Sequence, residues 1–444
     1  MPDVSAPSGR WRGRASEGVT TFHGIPYGNA GRFGRPGRPK ARNEVADATR
    51  PGPVAPQLPS RLEGVIGPPS RLEQSEDCQT LTITVRQDAR AGGSPVLVWL
   101  HGGAYVSGSG EWAQYGAERL VRETGIVVVS VSYRLGALGY LFAPEVSPGN
   151  LGLLDQIAAL EWVRDNVEAF GGDPGRVTAA GQSAGAHSIT AMLGIDRAAP
   201  LFARAIVQSA PLGLGFHTPQ QARRVAGLFL KELGGDPRRA PVADVLAAQA
   251  RVTRRLAGPG GLRSRPPFLP SFGAEPMPEA GRWRQNVLRD AAGRQFLIGN
   301  TVDEMTAFHG PHPTLARIRR IPVAGPAAAK AFRRLAQDRV FDQPVRALAG
   351  LLAGAGAPVW CYEVRSPHSG SPFGACHCID LPLLFGDEDA WSDAPMLRPL
   401  SPREISAIGA RTRAHWGHFV HTGRISDPVW PAHWPSSQHR HPLP

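Results

Sequence analysis

Six short apolar runs constrain what this chain can fold into more than any other feature of its sequence. They are bounded by glycine and proline, and they are β-branched and nearly continuous rather than alternating between apolar and polar residues. This pattern is typical of strands that are buried on both faces of a parallel sheet. The six runs are Val96–Leu100, Ile126–Val131, Val177–Ala180, Ala205–Gln208, Phe296–Ile298 and Val359–Val364.

Helical stretches lie between the apolar runs. The clearest is predicted from Leu151 to about Phe170, where apolar residues recur on one stripe and Gly171 follows as the expected end. Strands that alternate with helices in this way favour an α/β fold. We therefore predict a mostly parallel central sheet with helices on both of its faces.

The chain has 444 residues, of which 42% are hydrophobic, and this is enough for a large core. We predict a single α/β domain over residues 1–434. Residues 212–290 differ from the rest because they carry helical pieces and a Pro/Gly-rich stretch but no confident strand. We interpret them as an insertion that covers the carboxyl edge of the sheet. Residues 435–444 are predicted to be a disordered tail.

The net charge of +12 raises the question of a nucleic-acid partner. The cations are nearly all arginine and are scattered singly, with lysine only at Lys40, Lys231 and Lys330. Because scattered cations do not form a binding face, we predict no nucleic-acid partner. No apolar run approaches the roughly 18 residues that span a bilayer, so we predict no membrane partner either.

The cysteines are sparse and unevenly spaced, which suits a reducing cytosol better than a disulfide framework. The N-terminal stretch lacks the apolar segment of a signal peptide, so we expect a cytoplasmic protein. Cys376 and Cys378 flank His377, but no second cluster of Cys or His supplies matching ligands, so we predict no metal site. We predict no cofactor. The four cysteines are Cys78, Cys361, Cys376 and Cys378.

A G-x-S-x-G pattern is formed by Gly181, Ser183 and Gly185. Random placement of the glycines and serines would give about 0.4 such matches per chain, so the pattern depends on its context. The residues before it predict a strand and those after it predict a helix. A sharp strand-turn-helix connection is the setting in which this pattern exposes a nucleophilic serine, with the helix N-terminus stabilising negative charge.

A second glycine-rich stretch, LHGGAY at residues 100–105, directly follows the predicted strand Val96–Leu100. Two adjacent glycines permit a turn whose backbone amides point inward. A serine that attacks a carbonyl needs such preorganised N–H donors for the developing oxyanion. Together with Ser183, this stretch predicts an oxyanion loop.

With these motifs in place, the chain resembles the type-B carboxylesterases, the α/β-hydrolase family that includes cholinesterases and bacterial para-nitrobenzyl esterases. The matching stretches occur in family order from near residue 18 to near residue 434, and residues 149–186 are highly specific. The stretches are residues 22–33, 75–83, 98–110, 130–141, 149–186, 205–210, 298–304, 374–386, 416–423 and 429–431.

The resemblance implies a serine carboxylesterase that hydrolyses small-molecule esters through an acyl-enzyme. It assigns Ser183 as nucleophile, Glu304 as triad acid and His377 as base, in the order Ser, Glu, His that α/β-hydrolases share. It also implies an oxyanion hole and two structural ion pairs. The oxyanion donors are the amides of Gly103, Ala104 and Ala184, and the ion pairs are Arg32 with Glu76 and Arg134 with Asp155.

The sequence departs from the family pattern at several positions. Gln182 stands where the family often has glutamate, which removes a negative charge from the pocket floor, and Met305 stands where a glycine often follows the acidic pair. Secreted relatives use the cysteine at position 78 in a disulfide, but here Cys78 is the most N-terminal cysteine. The covering segments are short, which predicts an open site that prefers short acyl chains.

Two alternatives to a carboxylesterase remain at this point. One is a non-catalytic interaction protein, because the family also contains adhesion members that have lost the nucleophile. All three triad positions and the oxyanion loop are filled here, which favours the enzyme. The other alternative is hydrolysis of amides or carbamates by the same residues, and the sequence does not discriminate between these and esters.

Overall fold

The computed structural model describes residues 2–258, 265–309, 312–366, 368, 370–425, 427, 430 and 441–443. Its centre is a ten-stranded sheet, and the order of the strands across it is β15-β14-β13-β12-β11-β7-β8-β6-β4-β3. The strands, in chain order, are β1 (Asp3–Ala6), β2 (Gly9–Arg12), β3 (Arg14–Ser16), β4 (Val19–Pro26), β5 (Arg42–Asp47), β6 (Thr80–Arg86), β7 (Ser94–Leu100), β8 (Val127–Val131), β9 (Phe142–Ala143), β10 (Ser147–Pro148), β11 (Gly172–Gln182), β12 (Arg204–Gln208), β13 (Gln295–Thr301), β14 (Val359–Val364) and β15 (His441–Leu443).

All six apolar runs form strands of this sheet, namely β7, β8, β11, β12, β13 and β14. These strands are parallel to one another, whereas β6, β4 and β3 extend the sheet by antiparallel pairing. The prediction of a mostly parallel sheet is therefore confirmed. A separate three-stranded sheet has the order β1-β2-β5, and β9 pairs with β10.

Helices cover both faces of the central sheet. The α-helices are α1 (Glu63–Ile66), α2 (Glu118–Thr124), α3 (Gly136–Tyr140), α4 (Leu151–Asn166), α5 (Ala184–Met192), α6 (Pro219–Leu233), α7 (Val242–Ala257), α8 (Ala280–Asp290), α9 (Glu304–His309), α10 (Pro313–Arg319), α11 (Ala324–Gln337), α12 (Gln343–Gly354), α13 (Asp380–Phe385) and α14 (Pro402–Thr422). Single 3-10 turns occupy Ala113–Tyr115, Val167–Phe170, Ala199–Leu201, Leu212–Leu214, Ala291–Gly293 and Pro395–Leu397, and Asp338–Asp342 form a π-helical turn.

The two faces of β7 show how the core is divided. Val96, Val98 and Leu100 pack into one apolar cluster, which includes residues of α4, while Leu97 and Trp99 pack into a second cluster with residues of α14. Successive side chains of a strand point to opposite faces, so a strand between two cores must be apolar throughout. This explains the continuous apolar runs of the sequence.

Helix α4 and the 3-10 turn that follows it occupy the predicted helical stretch from residue 151 to residue 170. The stretch ends at Gly171, which adopts a positive φ of 90°. In the predicted insertion, the described residues of 212–290 form α6, α7 and α8 but no strand beyond a single bridge between His217 and Ser271. Residues 259–264, in its Pro/Gly-rich stretch, lie outside the described part of the chain.

The predicted disordered tail needs a correction. Its residues 441–443 form β15, which pairs in parallel with β14 at the edge of the central sheet. Leu443 is 1% exposed and packs into the same apolar cluster as α14, so burial of this side chain favours an ordered strand. Residues 435–440 and 444 lie outside the described residues. In the whole described part of the chain, no helix is both long and apolar enough to cross a bilayer.

Candidate active site

Ser183 occupies the turn between β11 and α5, with φ 56° and ψ −120°. A non-glycine residue rarely adopts a positive φ, and such strain persists only where the surroundings enforce it. A Cβ atom on Gly185 would lie 1.9 Å from the backbone oxygen of Leu100, and one on Gly181 would lie 2.8 Å from the backbone of Gly185. Only glycine fits at these two positions, so the G-x-S-x-G spacing permits a tight turn with Ser183 at its apex.

The loop after β7 packs against this turn. Gly103 has φ 111°, and a Cβ atom there would lie 1.9 Å from the backbone oxygen of Ser107, so this position also requires glycine. Within the part of the chain that the structure describes, no group accepts a hydrogen bond from the backbone N–H of Gly103, Ala104 or Ala184. Most buried backbone amides in proteins have a hydrogen-bond partner. The three unpaired amides near the side chain of Ser183 are therefore available to an external acceptor.

The two remaining residues of the predicted triad are in contact. The Nδ1 atom of His377 lies 2.5 Å from Oε2 of Glu304, and both side chains are almost completely buried. Glu304 begins α9 just after β13, and its Oε1 accepts a hydrogen bond from the backbone N–H of Thr301 at 2.8 Å. The rings of Phe308 and Phe341 pack on His377, with centroids 5.0 and 5.4 Å away. These contacts fix the orientation of the imidazole.

The hydrogen-bond pattern assigns the tautomer of His377. With Glu304 accepting the Nδ1 proton, Nε2 keeps a lone pair, and the side-chain amide of Gln182 donates to it at 3.2 Å. Ser183 Oγ makes no hydrogen bond to another described residue, although Ser183 and His377 line the same cavity. The structure thus brings the three predicted triad residues to one site, with Gln182 rather than Ser183 as the neighbour of Nε2.

Asp303, the other member of the acidic pair, faces the loop that precedes His377 instead of the imidazole. Its carboxylate accepts a hydrogen bond from the backbone N–H of Ala375 at 3.1 Å, and its own backbone N–H donates to the Ala375 carbonyl at 3.0 Å. Asp303 therefore ties α9 to the loop that carries His377, while Glu304 contacts the ring itself.

A buried histidine supports the glycine-rich loop. His101 is stacked on Tyr133 with ring centroids 4.3 Å apart, and its Nδ1–H donates to the Gly102 carbonyl at 2.7 Å. Burial lowers the pKa of His101 to about 4, so the ring is neutral at neutral pH. The backbone carbonyl of His101 in turn accepts a hydrogen bond from the Tyr133 hydroxyl at 2.7 Å. These contacts hold the loop that bears the unpaired amides.

Ser183 and His377 open onto a cavity of about 300 Å³. Its wall is mostly apolar and comes from the segment before α1, the loop after β7, α7, α9 and the π-helical turn before α12. Two arginines, Arg61 and Arg254, also line it, and the sequence analysis did not single them out. The apolar side chains that contribute include Leu58, Leu62, Val106, Leu214, Leu269, Met305, Phe308, Val340 and Phe341.

Both structural ion pairs implied by the resemblance are confirmed. Arg32 Nε lies 2.8 Å from a carboxylate oxygen of Glu76, and Arg134 contacts the fully buried Asp155 at 2.7 Å. All four cysteines are buried and free, as expected for Cys78 without a partner. Within the described ranges, no group of three or more His, Cys, Asp or Glu is arranged to hold a metal ion.

Comparison with known proteins identifies the family to which the chain belongs. The model of the carboxylesterase family matches residues 1–308, and the chain therefore belongs to that family. A relative from Rhodococcus erythropolis, named as a probable N-octanoylanthranilate hydrolase, is 64% identical over 99% of this chain and 97% of its own. The para-nitrobenzyl esterase of Bacillus subtilis is 31% identical over 97% of this chain and 92% of its own.

A solved structure gives the same result for the fold. The structure of a thermophilic para-nitrobenzyl esterase superposes with a TM-score of 0.84 and 31% sequence identity, covering 97% of this chain and 93% of the other. The fold is accordingly that of the α/β-hydrolases, and the protein is a carboxylic ester hydrolase by family.

Proposed function

We propose that the protein is a serine hydrolase that cleaves carboxylic esters, and amides of the N-acylanthranilate type, through an acyl-enzyme on Ser183. The observation that carries the proposal is the contact between His377 and the buried Glu304, because His377 lines the same cavity as Ser183. A serine hydroxyl is a weak nucleophile until a base removes its proton. The base and the carboxylate that orients it are both available at this cavity.

In the proposed acylation step, Ser183 Oγ forms a bond to the substrate carbonyl carbon while its proton passes to Nε2 of His377. The π electrons of the carbonyl move to its oxygen, which accepts hydrogen bonds from the amides of Gly103, Ala104 and Ala184. Collapse of this intermediate breaks the bond to the leaving oxygen or nitrogen. The leaving group takes the proton from His377, and Glu304 stabilises the imidazolium in between.

In the proposed deacylation step, water replaces the leaving group. His377 removes a proton from the water as its oxygen bonds to the acyl carbon, and the same three amides stabilise the second oxyanion. The bond to Ser183 Oγ then breaks, the oxygen recovers its proton from His377, and the carboxylic acid is released. No group outside the chain is required apart from substrate and water.

The position of Gln182 adds one requirement to this mechanism. Its amide lies against Nε2 of His377, so Ser183 Oγ must approach the same atom for proton transfer. Rotation about the Cα–Cβ bond of Ser183 moves the oxygen without moving the strained backbone. Hydrogen bonds of this kind often tighten only in the substrate complex.

The substrate class is proposed from the relative and from the cavity. N-Octanoylanthranilate is an amide of 2-aminobenzoate, and the relative named for its hydrolysis matches almost the whole chain at 64% identity. The apolar wall of the cavity, with Leu214, Leu269 and Met305, suits an aliphatic acyl chain. The sequence instead favoured short acyl chains. A p-nitrophenyl ester series from acetate to decanoate decides between the two.

We also propose that the protein acts in the cytoplasm and that it is an enzyme rather than a non-catalytic interaction protein. Four free, buried cysteines support action in the reducing cytoplasm. An adhesion-type protein of this fold would not need a strained serine, a buried His–Glu contact and three unpaired amides at one cavity. These features therefore favour the enzyme over an interaction protein.

Substitution of the nucleophile tests the proposal. Ser183→Ala should lower kcat for p-nitrophenyl esters by at least about 10⁴-fold because no hydroxyl remains to attack the carbonyl. Ser188→Ala is a matched control, since Ser188 is a buried serine on the adjoining α5 that does not line the cavity. An organophosphate should label Ser183 alone, as read by mass spectrometry of the digest. Stoichiometric labelling of another residue would contradict the proposal.

A further inference from the structure

The formally charged side chains on the cavity wall are all positive. Arg61, in the segment before α1, and Arg254, in the last turn of α7, line the cavity that Ser183 and His377 share. No aspartate or glutamate occurs among the described residues that line it. Gln182 contributes to this imbalance because a glutamate at that position would have placed a carboxylate beside His377. The cavity is therefore positive as well as apolar.

Neither arginine has a side-chain partner among the described residues. No hydrogen bond or ion pair joins the guanidinium of Arg61 or of Arg254 to any residue in the described ranges. Their neighbours differ: Arg251 and Arg255, on the same helix as Arg254, both contact Glu232, at 3.2 and 3.4 Å. Two unpaired guanidiniums on a mostly apolar wall suit the recognition of an anion.

The environment of Arg61 strengthens this point. The surrounding protein removes part of the water from its guanidinium and lowers the pKa of Arg61, although the residue as a whole stays exposed. Because this guanidinium is partly shielded from water, its charge is less screened than it would be in bulk solvent. A bound carboxylate would restore the hydrogen bonds that the guanidinium has lost to this partial burial.

We propose that Arg61 and Arg254 form a subsite that binds a carboxylate on the leaving group of the substrate. This inference rests on the proposed function, which places the scissile carbonyl at Ser183. An N-acylanthranilate carries such a carboxylate on its aromatic amine half, whereas its acyl half is apolar. The two arginines therefore select anionic aryl amides and esters over neutral ones, and they disfavour cationic substrates.

Binding to the Ser183→Ala protein tests the subsite without relying on turnover. The probes are N-octanoylanthranilate and N-octanoylaniline, which lacks the carboxylate, and calorimetry gives the Kd of each. The carboxylate should bind more tightly than the neutral anilide. Arg61→Gln and Arg254→Gln should each reduce this preference about tenfold, the size expected for loss of one charge-assisted hydrogen bond. Raising the salt concentration should reduce it as well.

Arg255→Gln is the matched control because Arg255 lies next to Arg254 but pairs with Glu232 and does not line the cavity. It should leave the preference unchanged, and thermal unfolding should show that all variants are folded. Equal affinity for the two probes, no measurable binding of the carboxylate, or an unchanged preference in both cavity variants would overturn the subsite. Turnover of either probe by Ser183→Ala would instead contradict the proposed function.

Discussion

At the scale of single residues, the acidic pair Asp303–Glu304 shows how neighbouring carboxylates divide their roles. The two side chains follow the same strand, but the turn into α9 directs Glu304 to the imidazole and Asp303 to the backbone of Ala375. Only a carboxylate that contacts the imidazole ring can stabilise the imidazolium directly. Asp303 acts through the position of the loop that carries His377.

This division predicts a difference between two conservative substitutions. Glu304→Gln should lower kcat by about 10³-fold or more, since it removes the negative charge beside the imidazolium. Asp303→Asn keeps an oxygen that can accept the Ala375 hydrogen bond, so its effect should be much smaller. Steady-state kinetics on one p-nitrophenyl ester compares the two, and equal losses would mean that the acid has been assigned to the wrong residue.

The arginines of the proposed subsite could not have been found from the sequence in the same way. Ser183, Glu304 and His377 lie in motifs that the family resemblance identifies, and each motif is recognisable locally. Arg61 and Arg254 are far apart in a chain with many scattered arginines, and they differ from the others only in their tertiary surroundings. The contact of Gln182 with His377 likewise depends on the fold, because the loop after β14 must meet the end of β11.

At the scale of secondary structure elements, the parallel strands were predictable and the antiparallel ones were not. The six parallel strands of the central sheet are apolar on both faces, whereas β6 carries three threonines in seven residues. Thr80 and Thr82 are buried because their hydroxyls donate to the buried carboxylate of Glu111 at 3.1 and 2.8 Å. The search for continuous apolar runs does not detect such a strand, because the carboxylate of Glu111 that allows the threonines to be buried lies about 30 residues away in the sequence.

The turn between β11 and α5 makes a prediction about stability as well as activity. Gly185→Ala should lower the free energy of unfolding by at least about 2 kcal/mol, because the new methyl group meets the backbone of Leu100. Gly227→Ala is the control. Gly227 lies at an exposed position of α6 where a Cβ would meet nothing within 4 Å, so this substitution should raise the free energy of unfolding by about 1 kcal/mol. Urea unfolding of both variants measures the difference, and a neutral Gly185→Ala would contradict the tight turn.

At the scale of the whole molecule, a buried carboxylate on α13 links stability to pH. Asp380 is 2% exposed and accepts one hydrogen bond from the Gln208 side-chain amide at 2.7 Å. Burial raises the pKa of Asp380 to about 6, with a smaller contribution from the charge of Glu304. Between about pH 4 and about pH 6 the folded protein therefore holds a proton that the unfolded chain has released. Stability on this account falls as pH rises through that window.

Asp380→Asn removes this penalty. The variant should gain up to roughly 3 kcal/mol in the free energy of unfolding at pH 8 and much less at pH 4, where the folded protein keeps Asp380 protonated and about half of the unfolded chains do so too. Urea unfolding at the two pH values measures the gain. Asp77→Asn, at an exposed carboxylate, should show no such pH-dependent gain. An equal gain for Asp380→Asn at both pH values would mean that its carboxylate is not the cause.

Strand β15 has a further consequence for how copies of this molecule behave toward one another. It adds the last strand to one side of the ten-stranded sheet, and it consists of only three residues. Without residues 441–443, the longer and more apolar β14 would present a row of unpaired main-chain N–H and C=O groups to solvent. A variant that lacks these residues would then expose a sheet edge able to pair with the same edge of another copy. Light scattering should detect its polymerisation under conditions where the chain with β15 does not aggregate.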